Sequence, residues 1–322
     1  MSNKDTQKRK TKKISTSPLV IILFVVLFLY SISLLLLLGW GLLSSLKNHL
    51  DFGTPTYNVL GFPILEGKIN SQEELFQLKN YRFIIENFHF RKKASFYSRG
   101  TLITHEAELN LFNMLMYTIL YAGIGAFIVA IVPCVVGYIC AKYDFWYSKV
   151  VYTMALVVLS LPSVGAYASE LTLLRNLGLY DTFLGNFIQK FSFTGMYFFI
   201  YYAYFRGVAS TYSEAAEIDG ASQWMILVQI ILPLAIKMLS TVYLIKFIEL
   251  WNDYQTAVLY LPTHPTLAYG VYEMSKNTVI KGMEKVPVRI ASCMLIAFPM
   301  IILFVVLRDK IMGNVSMGGL KE

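Results

Sequence analysis

The sequence predicts an all-α, polytopic membrane protein with six transmembrane helices, a cytoplasmic helical elbow and a small mixed extracytoplasmic insert between helices 1 and 2. Three observations predict it. Of 322 residues, 56% are hydrophobic and the mean hydropathy is +0.54, more apolar surface than a soluble domain could cover. The apolar residues fall into six runs, and a hydrocarbon core about 30 Å thick needs roughly 20 helical residues. One polar stretch, residues 206–233, interrupts the last runs with the pattern of two short helices and a turn.

Residues 1–17 are polar, rich in Ser and Thr, and expected to be disordered. Lys4, Lys8, Arg9, Lys10, Lys12 and Lys13 precede the first apolar run and account for much of the net charge of +8. Beside a span, such a cluster reads as a cytoplasmic anchor rather than a nucleic-acid patch. Segment 18–46 holds the first span, with its apolar run at 19–45. That run is too long for a cleaved signal peptide, and no small-residue cleavage site follows cleanly.

Residues 47–110 form the insert. "NYRFIIENFHF" and "SFYSRGTLITH" are aromatic, β-branched and partly alternating, which favours strands or short helices over a linker. Its basic residues, among them Lys68, Lys79, Arg82, Arg91, Lys92, Lys93 and Arg99, are compatible with an outer position, because long loops cross the membrane regardless of charge.

Residues 111–310 carry the other five spans, at about 111–141, 150–168, 183–205, 234–255 and 288–307. Gly123, Gly125 and Gly137 allow close packing in the second. Pro133 and Pro162 predict kinks in the second and third. Six spans from a cytoplasmic N-terminus return the tail, 311–322, to the cytoplasm. The short inner segments carry Lys142, Lys149, Arg206, Arg308, Lys310 and Lys321, against Arg175 alone in the outer segment 169–182. That asymmetry fits the positive-inside rule; the outer segment 256–287, with Lys276, Lys281 and Lys285, fits it less well.

Candidate chemistry begins with an absence. There is no Gly-x-x-x-x-Gly-Lys-Ser/Thr stretch, so the chain has no phosphate-cradling loop and no ATPase site of its own. No catalytic grouping, metal cluster or paired-acid site stands out. His49, His89, His105 and His264 lie in expected outer loops and read as solvated. Cys134, Cys140 and Cys293 fall in apolar runs and read as small core residues.

The elbow is the most informative stretch. Ser213 can cap its first helix, and Glu214 and Glu217 sit where the helix dipole favours negative charge. Ala215, Ala216 and Ala221 are small enough for another backbone to approach. Gly220 can turn the chain sharply, next to Asp219. Pro233 suits the first turn of the next helix, after Leu232.

The spacing Glu214-Ala215-Ala216, three residues, Gly220, nine residues, Ile230, one residue, Leu232-Pro233 resembles the coupling motif of permease subunits of binding-protein-dependent ABC importers. Gly178-Leu179-Tyr180-Asp181-Thr182, the Asn80-Tyr81 pair and the tail Gly318-Gly319-Leu320-Lys321 are similar to family segments; the length of the insert is a departure. Between these segments the likeness is general apolarity. The resemblance implies that the elbow docks into a cleft on a cytoplasmic ATPase, with Glu214, Ala215, Ala216, Asp219, Gly220, Leu232 and Pro233 as coupling residues. It further implies a second homologous permease, two ATP-binding subunits and an extracytoplasmic solute-binding protein. ATP and Mg would be bound by the ATPase and no cofactor by this chain. The location would be a bacterial cell membrane.

Two groups are candidates for the solute path. Trp251, Asn252 and Tyr254 end the fifth span. An aromatic face beside an amide suits a sugar, and equally suits an interfacial aromatic belt. The resemblance to maltose and multiple-sugar permeases at Trp251-Asn252-Asp253-Tyr254 favours the sugar. Lys246 and Glu249, three apart on one helical face, fall near mid-bilayer, where charges line pathways or pair as stitches between helices. An importer of amino acids, peptides or ions would share the elbow. A membrane enzyme or autonomous channel would need a catalytic cluster or no ATPase.

Overall fold

The computed structural model describes residues 18–52, 60–61, 78–161, 165–208, 211–276 and 282–315. The basic tail, most of residues 53–77, Pro162 and the Gly318-Gly319-Leu320-Lys321 motif lie outside them. The chain divides into two units, residues 1–77 and 78–322. In the first, α1 (Pro18–Ser45) is a 28-residue helix apolar on every side, as a helix with no water-facing stripe must be.

The second unit begins with α2 (Lys79–Asn87), followed by an antiparallel hairpin of β1 (His89–Ser98) and β2 (Thr101–Asn110). Arg99 (φ 49°) and Gly100 (φ 83°) make its two-residue turn. Positive φ at both positions matches the right-handed twist of the strands. Alternation sends Phe96, Ser98 and Leu109 inward. The outward face carries the cross-strand pairs Arg91–Glu108 and Lys93–Glu106, each 2.5 Å. The described part of residues 47–110 therefore carries one short helix and one hairpin besides the turn at His49–Phe52.

Then come α3 (Leu111–Lys142), α4 (Trp146–Ser160), α5 (Ala166–Leu177), α6 (Phe183–Gln189), α7 (Met196–Gly207), α8 (Thr211–Ile218), α9 (Gln223–Ile226), α10 (Leu232–Trp251), α11 (Gln255–Tyr260), α12 (Leu267–Lys276) and α13 (Val286–Val315). Asn110 caps α3, its side chain accepting from Asn113 N at 2.8 Å. Pro133 lies within α3, which continues as one helix.

Among the described residues, four helices are long and apolar enough to cross a membrane: Pro18–Ser45, Leu111–Lys142, Gln223–Trp251 and Val286–Leu303. Two expected spans differ from single long helices. The third ends at Ser160 after 15 residues, and α5 starts separately behind Gly165 at φ 86°. The fourth is broken into α6 and α7 by a non-helical stretch at 190–195. There Ser192 Oγ accepts from Thr194 N at 3.3 Å, a local bond that competes with helical pairing.

The main core joins α3, α7, α8 and the α9–α10 rod through Cys134, Tyr138, Tyr201, Phe205, Ala216, Ile226, Ile231 and Ala235. A Cβ on Gly137 would meet Tyr201 Cβ at 3.0 Å and one on Gly125 would meet Leu250 Cδ1 at 3.0 Å, whereas Gly123 has nothing within 4 Å. A second cluster joins Ile84, Phe88 and Leu109 to Met114, Leu267, Val288 and Ala291, so α2 and the hairpin share a core with the bundle. Cys134 and Cys140 are buried as expected, but Cys293 is exposed on α13.

Candidate functional site

The elbow is built from α8, a turn and α9. Glu214 stands in the first turn of α8 and is exposed, where its charge suits the helix dipole. Ser213, expected as the cap, is instead the third residue of α8 and buried. Gly220 supplies the turn at φ 79°, and its N–H donates to Glu217 O at 3.1 Å. The cap of the next helix is Ser222, a residue sequence reasoning passed over, whose Oγ accepts from Met225 N at 3.3 Å.

Pro233 does not open a fresh helix. The rod runs unbroken from Gln223 to Trp251, with a single π turn at Leu227–Ile231 just before α10. Proline lacks an N–H and crowds the carbonyl four residues back; a widened turn is a common way to accommodate such a break in the ladder.

Ala216 packs inward on the core, while Ala215, Asp219 and Pro233 are exposed and Leu232 is half-buried. Around them the elbow shows solvent Tyr212, Ile218 (86% exposed), Trp224 (73%) and Met225. An apolar patch of that kind on a polar elbow fits a protein contact better than water.

The elbow is tied to the C-terminal end of α3. Lys142 Nζ lies 3.0 Å from Glu217 Oε1 and donates to Gln223 Oε1 at 3.3 Å. Gln223 Nε2 donates to Glu217 Oε1 at 2.9 Å, and Tyr143 Oη donates to Gln223 Oε1. The bonds from Gln223 and Lys142 hold the Glu217 carboxyl below its ordinary range. The hairpin leads directly into the opposite end of α3. At 1.5 Å per residue, the 32 residues of α3 span about 48 Å, so the elbow and the hairpin stand at opposite ends of a membrane-length helix.

Among the path candidates, Lys246 Nζ donates to Glu249 Oε2 at 2.5 Å and lies 5.0 Å from the Tyr197 ring centroid on α7. Trp251 is only 4% exposed, and its Nε1 donates to Ile296 O of α13 at 3.3 Å, so its ring is packed rather than open. Asn252 is exposed and donates to Ile248 O at 2.9 Å. Tyr254 stacks on Tyr272 with ring centroids 4.5 Å apart. Asp253 accepts from Tyr121 Oη at 2.6 Å and Thr256 N at 3.0 Å; Lys190 Nζ donates to Tyr121 Oη at 3.3 Å.

A cluster that sequence reasoning missed surrounds Asp181. The histidines read as solvated and separate include two that meet here. His105 Nδ1 of β2 is 2.7 Å from Asp181 Oδ2, and His264 Nδ1 is 3.5 Å from Oδ1. Thr263 donates to the same carboxylate through its N–H at 3.0 Å and its Oγ1 at 2.6 Å. The Asp181 side chain is wholly buried and its φ is 60°. Burial opposes ionisation, but the bonds from His264, Thr263 and His105 outweigh it and hold the carboxyl below its ordinary value. The only advance signal was the aspartate in Gly178–Thr182; the partners come from strand β2 and from the turn after α11, more than 75 residues away on either side. Among the described residues, no group of three or more His, Cys, Asp and Glu is placed to hold a metal ion.

Residues 134–316 match the family described as "Binding-protein-dependent transport system inner membrane component". The diacetylchitobiose uptake system permease protein NgcG of Streptomyces coelicolor is 23% identical over 66% of this chain and 70% of its own. The melibiose/raffinose/stachyose import permease protein MelC of Bacillus subtilis is 22% identical over 66% of this chain and 77% of its own. The maltose/maltodextrin transport system permease protein MalG of Vibrio vulnificus is 26% identical over 62% and 69%. The crystal structure of a bacterial ABC transporter involved in the import of the acidic polysaccharide alginate superposes with a TM-score of 0.66, covering 90% of this chain and 95% of the other at 20% identity. That likeness is one of fold.

Proposed function

The chain belongs to the family of binding-protein-dependent transport system inner membrane components, and from that premise we propose that it is the permease subunit of an ATP-driven sugar importer whose energy enters through the Glu214–Pro233 elbow. The solute would be a sugar or oligosaccharide handed over by an extracytoplasmic binding protein. The relatives named for chitobiose, melibiose and maltose transport support that class. A second, related permease would complete the pathway and two ATPase subunits would sit beneath, binding ATP and Mg that this chain does not bind. The membrane is the bacterial cell membrane, with both termini, residues 1–17 and 311–322, cytoplasmic. Six crossings would then require α4 and the α6–α7 pair to cross with the four long helices.

The observation that carries the reading is the exposed apolar and acidic surface of the elbow at the end of α3 opposite the hairpin. ATP closure of the ATPase pair pulls on Tyr212, Glu214, Ile218 and Trp224. The Lys142–Glu217 contact passes the movement to α3, and the unbroken Gln223–Trp251 rod passes it to the solute path. The spans re-orient and the path opens outward. Among path residues, Lys246, Glu249, Asn252 and Tyr254 remain candidates, while Trp251 holds α10 against α13 in this conformation.

A cysteine at Ile218 tests the reading. In the complete complex it should cross-link to the ATPase subunit and resist a membrane-impermeant thiol reagent added to whole cells. Labelling from outside would overturn the orientation and, with it, the coupling role. An importer of a non-sugar solute shares the elbow and is separated from this reading by uptake assays over sugar, amino-acid and peptide panels.

A further inference from the structure

Lys190 is an ammonium inside the bundle that forms no salt bridge among the described residues. It ends α6 at the start of the break at 190–195. Its stem lies on α3, where a Cβ added to Gly125 would meet Lys190 Cε at 3.0 Å. Gly125 is about 21 Å along α3 from its start, which is mid-span depth. The ammonium's contacts are Tyr121 Oη at 3.3 Å and the Tyr121 ring centroid at 4.6 Å. Asp253 attracts it from behind the phenol it accepts from, and Lys246 opposes it.

Two physical arguments converge on this place. A charge at membrane depth is costly, and charges kept there mark substrate or ion paths. Irregular backbone at that depth is tolerated where it is buried in protein or lines a water-filled cavity. Beside Lys190 the irregular residues Phe191 and Ser192 are exposed, so the break is open at the surface of this chain. In secondary transporters, solute sites form where spanning helices break near the midplane.

We propose that Lys190 is a solute-binding residue at the α6–α7 break and that its ammonium pairs with a carboxylate of the cargo, so that the importer carries acidic, uronate-bearing saccharides. This rests on the sugar-importer reading. Tyr121 is a positioning residue: its hydroxyl proton is committed to Asp253, which leaves an oxygen lone pair toward Lys190 and aims the ammonium at the break. A neutral saccharide would leave that ammonium with no direct ion-pair partner, Asp253 reaching it only through the Tyr121 hydroxyl, and a site built for a charged partner rejects the ligand lacking it.

The test uses the complete complex, with its second permease, ATPase and binding protein, in proteoliposomes. Uptake is measured for matched panels of oligosaccharides: gluco-, galacto- and manno-oligomers and their uronate counterparts. Wild type should favour members of the uronate panel, and Lys190→Met should lose about tenfold or more of that uptake while Lys190→Arg retains most of it. Affinity of the binding protein for the same solute, measured separately, should be identical throughout. Transport of neutral saccharides with no preference for uronates overturns the proposal while leaving the sugar reading intact, and so does unchanged uronate uptake in Lys190→Met. Failure of every saccharide, with uptake of an amino acid or peptide instead, overturns both. Should Lys190→Met not assemble, the wild-type preference and Lys190→Arg decide alone.

Discussion

Lys142 Nζ and Glu217 Oε1 lie 3.0 Å apart and join the last turn of α3 to the elbow helix α8. Glu217 is exposed and Lys142 only partly so, so the pair adds little to stability; its value is mechanical. Lys142→Met should leave assembly and ATP hydrolysis near wild type and cut transported solute per ATP several-fold, with Lys142→Arg close to normal. The Glu217 carboxyl is held below its ordinary range, first by Gln223 and then by Lys142. A depressed acid contributes above its unfolded pKa and is lost as pH falls through the folded one. The coupling ratio should therefore hold above the ordinary carboxylate range and fall as pH drops through the lowered Glu217 value. A ratio unchanged in Lys142→Met would remove the contact from the transmission route.

Gly220 separates conformational strain from crowding. Its φ is 79°, yet a Cβ there would meet nothing within 4 Å. Gly220→Ala should cost only about 1 kcal/mol of local strain and keep transport coupled. Gly220→Pro cannot adopt positive φ and also removes the N–H that donates to Glu217 O. It should reach the membrane and hydrolyse ATP without moving solute. Wild-type coupling in the proline variant, read as uptake per ATP, would take Gly220 out of the mechanism.

The parts legible in sequence were those set by local chemistry. The apolar run at 19–45 became α1, the run at 111–141 became α3, and the spacing around Gly220 became the elbow. The parts that were not legible depend on partners distant in sequence. Asp181 collects His105 from β2 and Thr263 and His264 from the turn between α11 and α12, and no periodicity announces that meeting. The sequence left the indole of Trp251 as a sugar platform or a belt residue; that its N–H donates to Ile296 O depends on α13, 45 residues further on. The fourth span read as one apolar run because Lys190 and Ser192 to Gly195 are too few to break a hydropathy average, though their local bonds and Gly195 are enough to break a helix.

Asp181→Asn should loosen the hairpin from the bundle. The substitution keeps the shape and tolerates positive φ but removes the charge that His105, His264 and Thr263 surround. Weakening a buried, multiply bonded group costs about 1–3 kcal/mol, read as a lower melting temperature of the purified protein. Arg99, whose guanidinium donates to Asn176 O at 3.3 Å and Leu177 O at 3.2 Å, should become faster to cleave with trypsin. The Asp181 carboxyl sits below its ordinary value because the bonds from His264, Thr263 and His105 prevail over burial. Its stabilisation is thus present above the usual carboxylate range and lost as pH falls through the lowered value. That acid-side loss should vanish in the asparagine variant; equal acid sensitivity in both proteins would mean another group is responsible.

Lys246 decides between a path and a stitch. The ion pair with Glu249 lies within α10, three residues apart, so it cannot by itself hold two helices together. The contact it offers another helix is the Tyr197 ring, 5.0 Å from Nζ, and a cation over a ring is worth about 1 kcal/mol at a partly exposed site. Glu249 is 53% exposed at its side chain and Lys246 23%, which leaves the carboxylate open to whatever passes. If the pair lines the path, Lys246→Met and Glu249→Gln should each reduce uptake by about tenfold or more with the complex still assembled, and the double variant should not recover it. If the pair is structural, the single variants should lower assembly, each leaving one uncompensated charge, and the double variant should restore both assembly and uptake. Normal uptake by an intact Lys246→Met complex would remove Lys246 from the path and leave the solute to the break at Lys190.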